Sequence, residues 1–264
     1  MTSIALCQIP VSPDPAVNLE RAREALAAAE GADLAIFPEA TLTRYGKRIT
    51  ELAEPLDGPF VAGLAEAARE HGVAVIAGTF EPGADGRVHN TAVALRPDGS
   101  LAAAYRKIHL FDSFGAQEST LVARGDEPVV VELAGLRVGL VTCYDVRFPE
   151  LTRALVDRGA ELFAVIAAWG SGVLKEDHWL TLVRARALEN TTWTAAVGQA
   201  PNPAESSDGF GIGRSLLVDP LGVVRSDLGS GPGVGVVRID TDFTASARAT
   251  LPCLEHRVLG SIEK

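Results

Sequence analysis

Short apolar runs alternate with longer amphipathic stretches through the first third of the chain, the pattern of strands leading into helices. Residues 4–9 form an apolar run. Asp14 and Pro15 then supply an N-cap and a first helical position, and the Ala-rich stretch through Glu30 sets Leu19, Ala22 and Leu26 on one face. The run 34–37 is a second strand, stopped by Pro38. Asp57 and Pro59 open another helix carrying Phe60, Leu64, Ala67 and Ala68; His71-Gly72 closes it, and 73–80 reads as a buried strand.

Hairpins enter next. Residues 91–96 and 101–105 flank the turn signal Pro97-Asp98-Gly99-Ser100, and 129–133 and 136–142 flank Ala134-Gly135. A helix over 149–158, a strand over 162–168, a helix over 175–190 and a strand over 192–198 follow. The Pro/Ser/Asp/Gly-rich stretch 201–209 reads as a loop near the working surface or a mobile tip. Strands 215–218, 223–226 and 234–239 and a short helix over 241–250 complete the pattern. About a dozen strands and five or so helices, with βαβ units and hairpins mixed, predict an α/β fold with mixed sheets and helices on their outer faces. No composition break marks a linker, so one domain over 1–264 is expected, and no repeat of fixed period emerges.

Charge narrows the partners. A formal net charge of −10 argues against nucleic acid, which needs a basic surface. No apolar run approaches the ~20 residues of a membrane span. The N-terminal run lacks a basic flank, so it is expected to be a strand rather than a signal peptide. Three widely spaced cysteines (Cys7, Cys143, Cys253) then point to reduced thiols and a cytoplasmic location. The five histidines show no HxxxH or HExxH spacing and there is no CxxC, so a catalytic metal is not expected. The glycine-rich stretch 229–235 fits neither nucleotide-loop spacing, and no GxSxG elbow is present.

Three strand ends carry candidate chemistry. Glu39 directly follows an apolar strand, Lys107 follows a hairpin strand between apolar neighbours, and Cys143 ends a buried strand just before a turn into a helix. Singly, each has a plain structural reading: a loop acid, a solvated lysine, a core cysteine. Jointly they make a working set. A thiol titrates near ~8.5 and needs a base or a cation to act at neutral pH. A carboxylate can be that base, and a lysine ammonium can stabilise the oxyanion formed when a carbonyl is attacked.

The segments around these residues resemble the nitrilase superfamily of carbon–nitrogen hydrolases. Phe37-Pro38-Glu39 is similar to its glutamate motif, and Arg106-Lys107-Ile108-His109-Leu110-Phe111-Asp112 to its lysine motif. Cys143-Tyr144-Asp145-Val146-Arg147-Phe148-Pro149-Glu150-Leu151 is similar to its cysteine motif. The likeness extends to His178-Trp179 and the stretch 184–190. It implies a four-layer αββα sandwich, a homodimer or larger homo-oligomer, no cofactor, and a Glu39/Lys107/Cys143 triad. It also implies an auxiliary acid at Glu118 and a backbone oxyanion donor at Tyr144. The form of the cysteine motif is most like the branch of ω-amidases and deaminated-glutathione amidases. The implied substrate is therefore a small linear amide, with room for one bearing a carboxylate. Carbamoyl-amine or nitrile hydrolysis, thiol acyl transfer, and a non-catalytic binding role stay open as alternatives.

Around the triad, Arg147 offers a grip for a substrate carboxylate or a structural pair with Asp145 or Glu150. Trp169 is expected to line the pocket, and His178 is a further substrate-binding candidate. Arg184, Arg186 and Glu189 lie on one helix and suit an ion-pair network or a subunit contact.

Overall fold

The structure, a computed structural model, describes residues 1–202 and 210–259. Strands β1 (Thr2–Gln8), β2 (Leu34–Ile36), β3 (Ala74–Pro82), β4 (Val88–Leu95) and β5 (Leu101–Arg106) build the first sheet. Strands β6 (Val130–Leu133), β7 (Leu136–Thr142), β8 (Leu162–Ala167), β9 (Trp193–Gly198), β10 (Leu216–Val218) and β11 (Val224–Asp227) build the second. The last strand, β12 (Gly233–Ile239), returns to the first sheet and pairs antiparallel with β1, giving the order β12-β1-β2-β3-β4-β5. The second sheet runs β11-β10-β9-β8-β7-β6.

Each sheet has a parallel trio at its centre: β1, β2 and β3 in one, β7, β8 and β9 in the other. The helices that connect the parallel strands cover the outer faces. They are α1 (Pro15–Ala28) and α3 (Pro59–His71) on the first sheet, α4 (Pro149–Asp157) and α5 (Lys175–Asn190) on the second. A one-turn helix α2 (Ile49–Leu52) and a late helix α6 (Thr241–Thr250) complete the chain. The sequence pattern missed α2, whose four residues are too few for helical periodicity to register.

Side-chain alternation along the strands explains the layering. In β1, Ile4 and Leu6 face the second sheet with Ile36 and Ile76, joining a core that includes Val138, Leu140 and Val165. Their neighbours Ala5 and Cys7 face the other way and pack with Ala35, Val75 and the apolar stripes of α1 and α3. Because the trios are buried on both faces, they read as continuous apolar runs rather than alternating ones. The result is the expected αββα stack. Asp14 caps α1 through Ala16 N–H, and Gly72, with φ 64°, closes α3, as the sequence signals required. No helix among the described residues is long and apolar enough to cross a membrane.

Candidate active site

The carboxyl ends of the central parallel strands of both sheets converge on one cavity of about 260 Å³. In open α/β sheets this is where ligands bind, since the loops leaving the strands can vary without disturbing the core. Glu39 comes from the turn after β2. Pro38 stops the strand there, and Ala40 adopts a left-handed φ of 57°, turning the chain so that the carboxylate enters the space between the sheets. Lys107 follows β5, held by its N–H donating to Asn90 O at 2.8 Å. Cys143 follows β7 with φ 51°, left-handed and costly for a residue with a Cβ. That conformation tips its thiol out of the sheet and opens a single turn of 3-10 helix over Cys143–Arg147.

The side chains meet across the two sheets. Lys107 Nζ donates to Glu39 Oε1 at 3.0 Å and to Glu118 Oε2 at 2.9 Å. Asn90 Nδ2 bridges the same two carboxylates at 2.7 and 3.1 Å. From the second sheet, Ala168 N–H donates to Glu39 Oε2 at 2.7 Å, and Gln199 Nε2 to the Glu39 carbonyl at 2.8 Å. The Cys143 thiol and the Glu39 carboxylate line the same cavity, near enough for each to shift the other's titration. Glu118, from the turn Glu118–Thr120, also accepts Phe111 N–H at 2.6 Å. Glu39, Lys107 and Glu118 are each under 5% exposed. They are largely withdrawn from solvent, so their charges act on one another more strongly than they would at the surface.

Burial raises the carboxyl pKa of Glu39, but the Lys107 charge and the hydrogen bonds from Ala168 and Lys107, with the Cys143 thiol beside it, outweigh it and hold the group below its ordinary range. Burial works against the Lys107 ammonium, yet Glu39 and Glu118 hold its pKa well above normal. Burial and the Glu39 charge push the Cys143 thiol well up, with Lys107 opposing. The resting site is therefore a carboxylate, an ammonium, a second carboxylate and a protonated thiol. Such a set can pass a proton from sulfur to Glu39 as sulfur attacks an electrophile, and can offer Lys107 to the charge that develops.

Tyr45, Phe111, Tyr144 and Trp169 give the cavity aromatic walls, and Tyr144 follows the thiol directly. Arg147 and His178 are not part of the lining. They contact each other (Arg147 Nη2 to His178 Nδ1, 3.4 Å), and the guanidinium lies over the Trp169 ring at 5.1 Å and the Tyr144 ring at 5.9 Å.

The alternative pairing of Arg147 with Asp145 is corrected. Asp145 is wholly buried and already takes Tyr105 Oη (2.7 Å), His109 N–H (3.0 Å), the His109 ring (2.8 Å) and Thr142 N–H (3.0 Å). It thereby ties the lysine-bearing segment to the cysteine turn. Glu150 is no partner of Arg147 either among the described residues. On α5, Arg186 pairs with Glu189 at 3.1 Å, as expected, while Arg184 Nε donates to Gly222 O. Most of the loop expected at 201–209 lies outside the described residues. Among the described residues, no group of three or more His, Cys, Asp and Glu is arranged to hold a metal.

Sequence reading missed Asn90, Asp145 as a link, Gln199 and the Ala168 N–H. Only Asn90 carried a trace, a polar side chain at the start of an apolar strand.

Known proteins offer an independent comparison. The family profile described as carbon-nitrogen hydrolase matches residues 3–249. A Mycobacterium tuberculosis protein named as a hydrolase is 46% identical over 266 residues, covering 96% of this chain and 95% of that protein. The deaminated glutathione amidase of Escherichia coli O157:H7 is 37% identical over 237 residues, 88% of this chain and 87% of its own. Among solved structures, a Xanthomonas campestris protein of the CN-hydrolase superfamily, described with an arsenic adduct in its active site, superimposes with a TM-score of 0.89. It is 30% identical and covers 99% of both chains.

Proposed function

Because the chain belongs to the carbon–nitrogen hydrolase family, whose members similar to it include amidases, we propose that it hydrolyses a small linear amide through a Cys143 thioester. The observation that carries the reading is a buried carboxylate hydrogen-bonded to an ammonium and sharing the floor of one cavity with a thiol. At about 260 Å³ the cavity suits a small molecule rather than a folded polypeptide.

Cys143 attacks the amide carbonyl while Glu39 takes the thiol proton. Lys107 and the Tyr144 N–H stabilise the tetrahedral oxyanion. Protonated Glu39 then passes its proton to the leaving nitrogen, and ammonia departs. A water activated by Glu39 hydrolyses the thioester to a carboxylic acid and frees the thiol. Glu118 keeps Lys107 charged and in place throughout. Homologues named deaminated glutathione amidase make carboxylate-bearing amides the first substrates to try.

A homodimer or larger homo-oligomer and a cytoplasmic location complete the proposal. The exposed Leu188, Leu221 and Val223 form an apolar patch on the outer face of the second sheet that favours association.

The test is ammonia release from succinamate, deaminated glutathione, simple aliphatic amides, N-carbamoyl amino acids and nitriles. Cys143→Ala is expected to abolish release from every substrate while circular dichroism stays native. Glu39→Gln is expected to block acylation itself, so mass spectrometry should find no acyl-enzyme in that variant. Activity in Cys143→Ala, or a stable thioester in Glu39→Gln, would overturn the mechanism.

A further inference from the structure

The mechanism leaves the outer end of the cavity without a role. There Lys175, the first residue of α5, lines the cavity with its ammonium among three aromatic rings. Nζ lies 4.0 Å from the centroid of Phe114, 5.0 Å from Phe111 and 5.6 Å from Trp169. The backbone beneath it is fixed, because Trp169 Nε1 donates to Lys175 O at 2.9 Å.

Among the described residues no carboxylate pairs with this ammonium. Glu176, next along the helix, lies 3.7 Å from Arg214 instead. Three things weigh on the charge: partial burial, the nearby Arg147 guanidinium and the positive end of α5. Burial and Arg147 lower its pKa, in that order, and charge on Cys143 would raise it. A cation at the first position of a helix also opposes the helix dipole. A lysine placed against its own helix, beside another cation and without a counter-ion, is a poor structural choice and a good receptor for an anion.

The two ends of the cavity carry opposite charge. The inner end holds two carboxylates against one ammonium, Glu39 and Glu118 against Lys107. The outer end holds Lys175. A molecule with an amide at one end and an anionic group at the other is thus oriented on entry: the inner end repels its charge and the outer end attracts it. A cationic tail would meet repulsion from Lys175. Arg147, which the sequence offered for this role, lies outside the lining and packs against Trp169 and Tyr144.

We infer that Lys175 is the specificity-determining residue of the cavity, pairing with a carboxylate that the substrate carries at the end remote from the scissile amide. The inference rests on the amidase reading above for the chemistry, but the pairing itself is a binding event that can be measured apart from it.

Ammonia release from succinamate and from butyramide, which match in length and differ in the charged end, gives the ratio of the two kcat/KM values. In Lys175→Met, which keeps an aliphatic stem over the rings, that ratio is expected to fall by about tenfold to about a hundredfold. This is the range for one lost charge-assisted hydrogen bond, and it should be seen chiefly in the KM for succinamate. Lys175→Arg should recover part of the ratio. A ratio unchanged in Lys175→Met, with both amides still hydrolysed, overturns the assignment and leaves the amidase reading standing.

Calorimetric binding of succinamate to Cys143→Ala, with and without Lys175→Met, separates the other case. If the wild-type protein hydrolyses neither of these amides nor any other amide of the screen, the amidase reading fails. Weaker binding in the double variant would still support Lys175, and equal binding would overturn it.

Discussion

Charge at the cavity floor sums to −1 before attack: Glu39 and Glu118 ionised, Lys107 protonated, Cys143 neutral. In the proposed mechanism it remains −1 in the tetrahedral intermediate, where Glu39 is neutral and the substrate oxygen carries the charge. Nothing new is ionised in a dry site; charge only moves from one acceptor of Lys107 to another, which avoids the large cost of creating an uncompensated buried ion. The same arrangement fixes the pH dependence. Glu39 must be ionised to accept the proton, and its pKa is held below the ordinary 4.5, so the acid limb of kcat/KM moves to lower pH. The thiol titrates above its ordinary 9.0 and Lys107 above 10.5. For an uncharged amide the profile is expected to be flat through neutral pH, and an inflection near neutrality in initial-rate measurements would contradict this resting state.

The turn that presents Glu39 depends on a neighbouring strand. At Gly78 of β3, a Cβ would lie 2.4 Å from Ala40 N and 2.7 Å from Glu39 Cα, so only glycine lets the left-handed turn pack against the sheet. Gly78→Ala is expected to cost about 1–3 kcal/mol, read as a lower Tm, and to lower kcat more than stability alone would explain, because the backbone that must yield carries the base. A variant with reduced Tm but full kcat would show that the turn can shift without moving the carboxylate.

What the sequence made legible follows from the same local logic. Pro38 stopping an apolar strand, the Pro97–Ser100 turn and the Cys143 strand end are signals spanning a few residues; the elements they mark form where expected, and Glu39, Lys107 and Cys143 line one cavity. Asn90 reaches Glu39 across 51 positions, Ala168 across 129 and Gln199 across 160. No short-range pattern encodes such partners. Asp145 was misjudged for the same reason: its nearest arginine in sequence is Arg147, but its donors arrive mainly from Tyr105 and His109.

At the scale of the whole molecule, the two sheets repeat one plan. Each has an antiparallel edge strand, a parallel trio and two further antiparallel strands: β12 before β1–β5, and β6 before β7–β11. The chain therefore carries a duplicated topology that no sequence period announced, since the sequence reading could not tell which strands pair. The first half brings Glu39, Lys107 and Glu118; the second brings Cys143. The thiol comes beside the Glu39 carboxylate only when the sheets pack face to face, and in the proposed mechanism it stays protonated until a substrate carbonyl accepts its electrons.

That elevated thiol pKa, so far an obstacle for Glu39 to overcome, also bears on oxidative damage. Peroxide attacks the thiolate, and the resting fold holds almost none. Cys143 is expected to be oxidised by hydrogen peroxide more slowly than free cysteine, since raising a thiol's pKa lowers its thiolate fraction at a given pH. Residual ammonia release after timed exposure measures this, and rapid inactivation would count against it. A nucleophile released by its own substrate is sheltered from oxidants between turnovers, a tolerance set by where one proton rests.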